Sequence, residues 1–143
     1  MILPLWLILA LCSAAAAALV PIFAKIGMKN VDADLVTVLR GIASCVVLLI
    51  FGSAIGVWRH VPTVGWRAGA FIALSGIAGA ASWIFYFNAI KIGEVSWVAP
   101  IDKLSMPIAI LLAVLALGER PSGINWAGIL LIAAGAYLAT LKG

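Results

Sequence analysis

Five apolar runs, each about 20 residues or longer, fill almost the whole chain at about residues 3–27, 34–57, 67–90, 96–117 and 122–141. A helix needs ~20 apolar residues to cross the hydrocarbon core of a bilayer. The polar breaks between the runs are MKNVDAD, WRHVPTVGWR, KIGEVS and GERPS, which are too short to hold a folded domain. Connections of that length make consecutive helices antiparallel neighbours. A membrane-spanning strand would alternate apolar and polar residues, whereas these runs are apolar throughout. The expected architecture is an all-α membrane protein of five transmembrane helices, forming a single domain over residues 1–143.

Composition agrees. A soluble domain of 143 residues cannot hide a chain that is 66% hydrophobic and only 10% charged, because its surface demands polar cover. Lipid must solvate most of the outside. The nine Lys and Arg residues sit mostly at the ends of the apolar runs and form no basic cluster, so nucleic acid is not an expected partner. Cys12 and Cys45 lie inside apolar runs, where a thiol serves as a small packing residue. No CxxC, HExxH or glycine-rich phosphate loop is present, and the one histidine, His60, falls in a loop. The reading is therefore no enzyme, no metal and no cofactor. The first run lacks the basic stretch that precedes a secretory signal core, and Leu11 before Cys12 spoils a lipoprotein cleavage site. It is expected to be a true span.

Local signals mark the ends of the spans. Asp32 and Asp34 precede the second run, at the end where acids suit the helix dipole. Gly118 followed by Pro121 and Ser122 reads as a helix stop and restart. Pro21 and Pro107 lie inside runs one and four and are expected to kink them, with Pro100 a milder case; all three are candidate hinges. Five spans place the termini on opposite sides. The side holding the N-terminus carries Arg59, Arg67 and Arg120, and the other carries Lys25, Lys29, Lys91 and Lys142. This bias is too small to orient the chain. Trp6, Trp58, Trp66 and Trp126 mark the first side and Trp97 the second, which leaves insertion in both orientations open.

The stretch from Tyr86 to Leu138 carries a more specific pattern. An aromatic and small-residue helix ends in A-x-K-x-G (Ala89 to Gly93), and V-A-P (Val98 to Pro100) opens the next. L-G-E-R (Leu117 to Arg120) then closes that helix before a small-residue last one. This resembles the second half of an EamA domain, the repeat unit of the drug/metabolite transporter superfamily. PIFAKIGMK (Pro21 to Lys29) and Arg40 are also similar to the family. The resemblance implies a multi-pass permease of a prokaryotic cytoplasmic membrane, moving small metabolites or amino-acid-like solutes in uptake or efflux. Typical members carry two inverted five-helix repeats. This chain has one, like the short members of bacteria and archaea, and inverted repeats place the substrate site at their interface. A single repeat thus implies an antiparallel homodimer or an inverted partner chain, working by alternating access. The other reading is a non-transporting membrane subunit that assembles with a larger partner.

Arg40 and Asp102 each lie about six residues into spans that start on the same side, roughly 9 Å deep at a rise of about 1.5 Å per residue. A charge at the bilayer centre costs ~3 kcal/mol, and pairing is the usual remedy. An Arg40–Asp102 ion pair is expected, either as a static strut or as a coupling or substrate-carboxylate site. Lys103 points about 100° away from Asp102 around the helix and either lines the cavity or snorkels; the same two readings hold for Lys25. Ser75, Gly79, Ser82 and Tyr86 form a small-residue contact face, as do Gly52 and Gly56. Trp83, Tyr86 and Asn88 are candidates to stack on or hydrogen-bond a flat organic substrate, against the plainer reading that they pack. The first span lacks the buried carboxylate on which small four-helix multidrug exchangers rely. Asp102 would have to serve if coupling needs a carboxylate.

Overall fold

The computed structural model describes residues 4–141. Among them are six α-helices and no strand: α1 (Leu5–Gly27), α2 (Ala33–Ile55), α3 (Trp66–Ile92), α4 (Val95–Asp102), α5 (Ser105–Leu117) and α6 (Gly123–Leu138). A 3-10 helix (Val57–Thr63) lies between α2 and α3. His60 is therefore part of a helical turn rather than a loop, and its carbonyl accepts a hydrogen bond from Thr63 Oγ1 at 2.7 Å. Residues through Pro21, together with those from Ile92 onward, form one compact unit, and Ile22–Lys91 form the other.

By length and composition, α1, α2, α3 and the stretch Val95–Leu117 are each able to cross a membrane. The chain is a multi-pass membrane protein. The fifth expected span is shorter than its apolar run. With 16 residues, α6 extends only about 24 Å at ~1.5 Å per residue, against a hydrocarbon core of ~30 Å. Its end is drawn into tight turns, where Thr140 N bonds to the Tyr137 carbonyl and Leu141 N to that of Leu138.

Several helix boundaries follow from single side chains. Asp32 caps α2, its Oδ1 accepting from Asp34 N at 2.9 Å and Leu35 N at 3.3 Å. Ser122 caps α6 through Asn125 N at 3.4 Å. Gly118 ends α5 at φ +70°, a left-handed conformation that costs an L side chain roughly 1–2 kcal/mol. The same requirement explains Gly56, which ends α2 at φ +69°. Gly52 has a different reason. A Cβ there would stand 3.1 Å from the Trp58 ring, which folds back from the 3-10 helix and donates from Nε1 to Ser53 Oγ at 3.0 Å. The Gly52/Gly56 pair thus serves a turn, not the helix–helix face expected of it.

The fourth apolar run is two helices, and its break falls between the two expected kinks. Pro107 has no N–H to give the carbonyl four residues back, and its ring crowds that same carbonyl. That carbonyl belongs to Lys103, which accepts instead from Met106 N at 3.0 Å. One turn earlier Lys103 N is shared between the carbonyls of Ala99 and Pro100, and Leu104 N bonds to Ile101 O at 2.9 Å. The chain tightens into three-residue turns at Lys103–Leu104, whereas α4 runs through Pro100 and α1 runs through Pro21 without interruption. Pro107→Ala should restore the bond from residue 107 to the Lys103 carbonyl and merge α4 with α5. Amide exchange across residues 103–107 is then expected to slow about tenfold, the equivalent of ~1.4 kcal/mol. Unchanged exchange would place the cause of the break elsewhere.

Within Ile22–Lys91 the buried core gathers at one pole, where α1 and α3 end and α2 begins. Phe87, Met28 and Ile90 are the largest fully buried side chains there, with Ala24, Ala33 and Thr37 around them. In the other unit α6 packs on both α4 and α5, burying Ile129 and Ala136. Cys12 and Cys45 are free and exposed, so neither has the packing role expected from its apolar surroundings.

Candidate functional site

The helices α2 and α3 bring a cation onto two aromatic faces. Trp83 and Phe87 are four residues apart on α3 and therefore share one face. The Arg40 guanidinium, on α2, lies 4.2 Å from the centre of the Trp83 ring and 5.1 Å from that of Phe87. Phe87 in turn meets Tyr86 edge to face at 5.5 Å and 66°. Ring faces attract a cation but accept no directed hydrogen bond. Arg40 Nη1 is consequently buried with no hydrogen-bond partner among the described residues. An orphan N–H of this kind costs ~1–3 kcal/mol. Nothing in the packing of α2 and α3 offsets it except the rings themselves.

Asp102 is partnered by its neighbour. Lys103 Nζ lies 3.2 Å from Asp102 Oδ2, with the two side chains 57% and 33% exposed. This corrects one expectation. The 100° offset between the adjacent residues does not keep Lys103 away, because its long stem curls back around the helix. Each charge has a contact inside its own unit: aromatic rings for Arg40, an ammonium for Asp102.

Other candidates form the polar rim of the same pole. The Asn88 amide Nδ2 donates to Asp34 Oδ1 at 2.6 Å and to the Ile84 carbonyl at 3.0 Å. Lys25 Nζ donates to the Ile90 carbonyl. Lys91 Nζ donates to the carbonyls of Met28 and Val31, at 2.5 and 2.8 Å. The last carbonyls of a helix have no partner inside it. Lys25, in the last turn of α1, supplies one for the end of α3, and Lys91, in the last turn of α3, supplies one for the chain leaving α1. Sequence reasoning used Lys91 for orientation and as the lysine of the A-x-K-x-G pattern, not as a tie between helix ends. Phe87 was not singled out at all, although its spacing from Trp83 was the available sign. Of the residues expected at the site, Arg40 and Trp83 are brought into contact and Tyr86 adjoins them through Phe87. Asn88 and Lys25 tie helix ends together. Asp102 and Lys103 lie in the other unit. Gly79 stands open, with no atom within 4 Å of where a Cβ would be.

The chemistry available at Arg40 is recognition rather than reaction. A guanidinium held against aromatic rings, with an unused donor, suits an anionic or carbonyl oxygen. No group of three or more His, Cys, Asp or Glu residues able to hold a metal occurs among the described residues.

The chain is similar to an "Uncharacterized transporter in cobO 3'region" of Sinorhizobium sp., with 42% identity over 133 residues that cover 93% of this chain and 94% of that one. No solved structure matches it. The EamA-like transporter family matches residues 4–141. With several long apolar helices and a match that spans all the described residues, the chain belongs to the EamA-like transporter family.

Proposed function

We propose that the protein is a secondary transporter of small metabolites or amino-acid-like solutes in a prokaryotic cytoplasmic membrane. In this reading two copies, inverted relative to each other, make the ten-helix transporter that longer relatives make from two repeats, and the solute passes by alternating access. The observation that carries it is the unpartnered Nη1 of Arg40 beside Trp83 and Phe87. A charge is kept inside an apolar helix, at a cost, with a donor left over for something the chain does not contain. Family membership and the near full-length similarity to a protein named as a transporter support the same reading. The break between α4 and α5 supplies a place where a helix can bend. The weak charge bias between the two sides supports dual insertion.

Reporters fused separately to each terminus test the arrangement. Two inverted copies predict that each terminus is found on both sides of the membrane in comparable amounts, and that the purified protein is a dimer. One fixed orientation, or a monomer, would sink the inverted pair. It would return the chain to the role of a subunit for a partner of opposite topology.

A further inference from the structure

We propose that the cavity between the ends of α1 and α3 binds the phosphate of an anionic lipid headgroup. The cavity is about 560 Å³ and is lined by Lys25, Ile26, Met28, Lys29 and Lys91. Three ammonium groups share its wall and no carboxylate does. Cations gathered around one cavity attract a counter-anion.

The nearest acids in sequence are engaged elsewhere. Asp32 caps α2 through Asp34 N and Leu35 N, Asp34 holds Asn88, and Glu94 accepts from Ser96 Oγ at 3.3 Å. The Lys29 side chain makes no hydrogen bond or ion pair among the described residues, its backbone N–H alone donating to the Ile26 carbonyl at 3.3 Å. Lys25 and Lys91 are held in place by the carbonyls of Ile90, Met28 and Val31. Those bonds fix where two of the ammonium groups sit, so little ordering remains for an arriving anion to impose.

Place selects the source of the phosphate. The three lysines stand at or just beyond the ends of two long apolar helices, at the depth where headgroups meet water. In the last two turns of α1, Phe23 and Ile26 are 64% and 68% exposed, an apolar flank suited to an acyl chain. A free phosphate ion would use the lysines alone, whereas a phospholipid uses both surfaces. The proposal stands on the membrane-protein character of the chain and is independent of what it transports.

The test is made on the purified full-length chain in detergent. Phosphatidylglycerol, phosphatidylcholine and inorganic phosphate are added separately at matched phosphorus concentration, with melting temperature and native mass spectrometry as readouts. Phosphatidylglycerol is expected to raise the melting temperature and to remain bound in the mass spectrum, and the other two to do neither. Lys29→Gln is expected to weaken phosphatidylglycerol binding about fivefold, the share of one lysine near an anionic surface. It should leave the lipid-free melting temperature unchanged, because Lys29 ties no helix end. Equal stabilisation by phosphatidylcholine would overturn the proposal by removing the role of charge. Equal stabilisation by inorganic phosphate would overturn the lipid assignment in favour of a free anion. An unchanged affinity in Lys29→Gln would show that the lipid binds somewhere else.

Discussion

Replacing Arg40 with methionine is expected to raise the melting temperature of the purified protein by a few degrees and to lower its transport about tenfold or more. The two effects have opposite signs because the guanidinium is poorly satisfied where it lies. Against it stand a buried Nη1 with no partner, worth ~1–3 kcal/mol, and part of the ~3 kcal/mol for a charge in hydrocarbon. In its favour are the contacts with Trp83 and Phe87, about 2 kcal/mol when desolvated. Methionine keeps the length of the side chain and recovers ~0.3–1.5 kcal/mol of contact with the same rings. The balance favours the variant by roughly 1–2 kcal/mol. The flux should fall because a charged hydrogen bond to a solute is worth ~1.5–3 kcal/mol, a factor of about ten or more in rate. Thermal unfolding gives the first number. Uptake of a pooled, isotope-labelled mixture of amino acids and metabolites into proteoliposomes gives the second. A melting temperature that drops by several degrees would make Arg40 a strut between α2 and α3.

The elements that hydropathy and helix punctuation describe were legible in the sequence. Asp32, Ser122 and Gly118 each act on backbone groups within five residues of themselves, so their effect can be read without a fold. The break in the fourth run was legible in kind but not in position. A proline removes a bond and crowds a carbonyl four residues before it, so Pro107 acts at Lys103. The pairing of Arg40 was not legible. A helix that is apolar on all sides carries no stripe to fix its rotation, so nothing in the sequence turned Arg40 towards Trp83 and Phe87. Lys25 and Lys91 were hidden for a further reason. A lysine at the end of an apolar run reads as a headgroup anchor, and only the fold shows that each reaches the end of the other's helix.

That exchange is expected to make Lys91 the most stabilising exposed side chain of the unit Ile22–Lys91. Lys91→Met keeps the stem and removes the ammonium, leaving the Met28 and Val31 carbonyls without their donor. Hydrogen bonds from a charged donor contribute ~1.5–3 kcal/mol each. Lys91 is exposed, so the lower end applies and the pair is worth about 3 kcal/mol. The melting temperature should fall by on the order of 10 °C. Lys29→Met, a neighbouring lysine that holds no carbonyl, is the control and should stay within about 2 °C of the parent. Combining Lys25→Met with Lys91→Met should cost less than the two separately, by about 1 kcal/mol, because both losses loosen the same junction of α1 with α3. Should Lys91→Met and Lys29→Met melt together, the buried Met28, Phe87 and Ile90 would be holding this pole by packing alone. The lysines would then be there for their charge, and the helix ends would be closed by lipid or water.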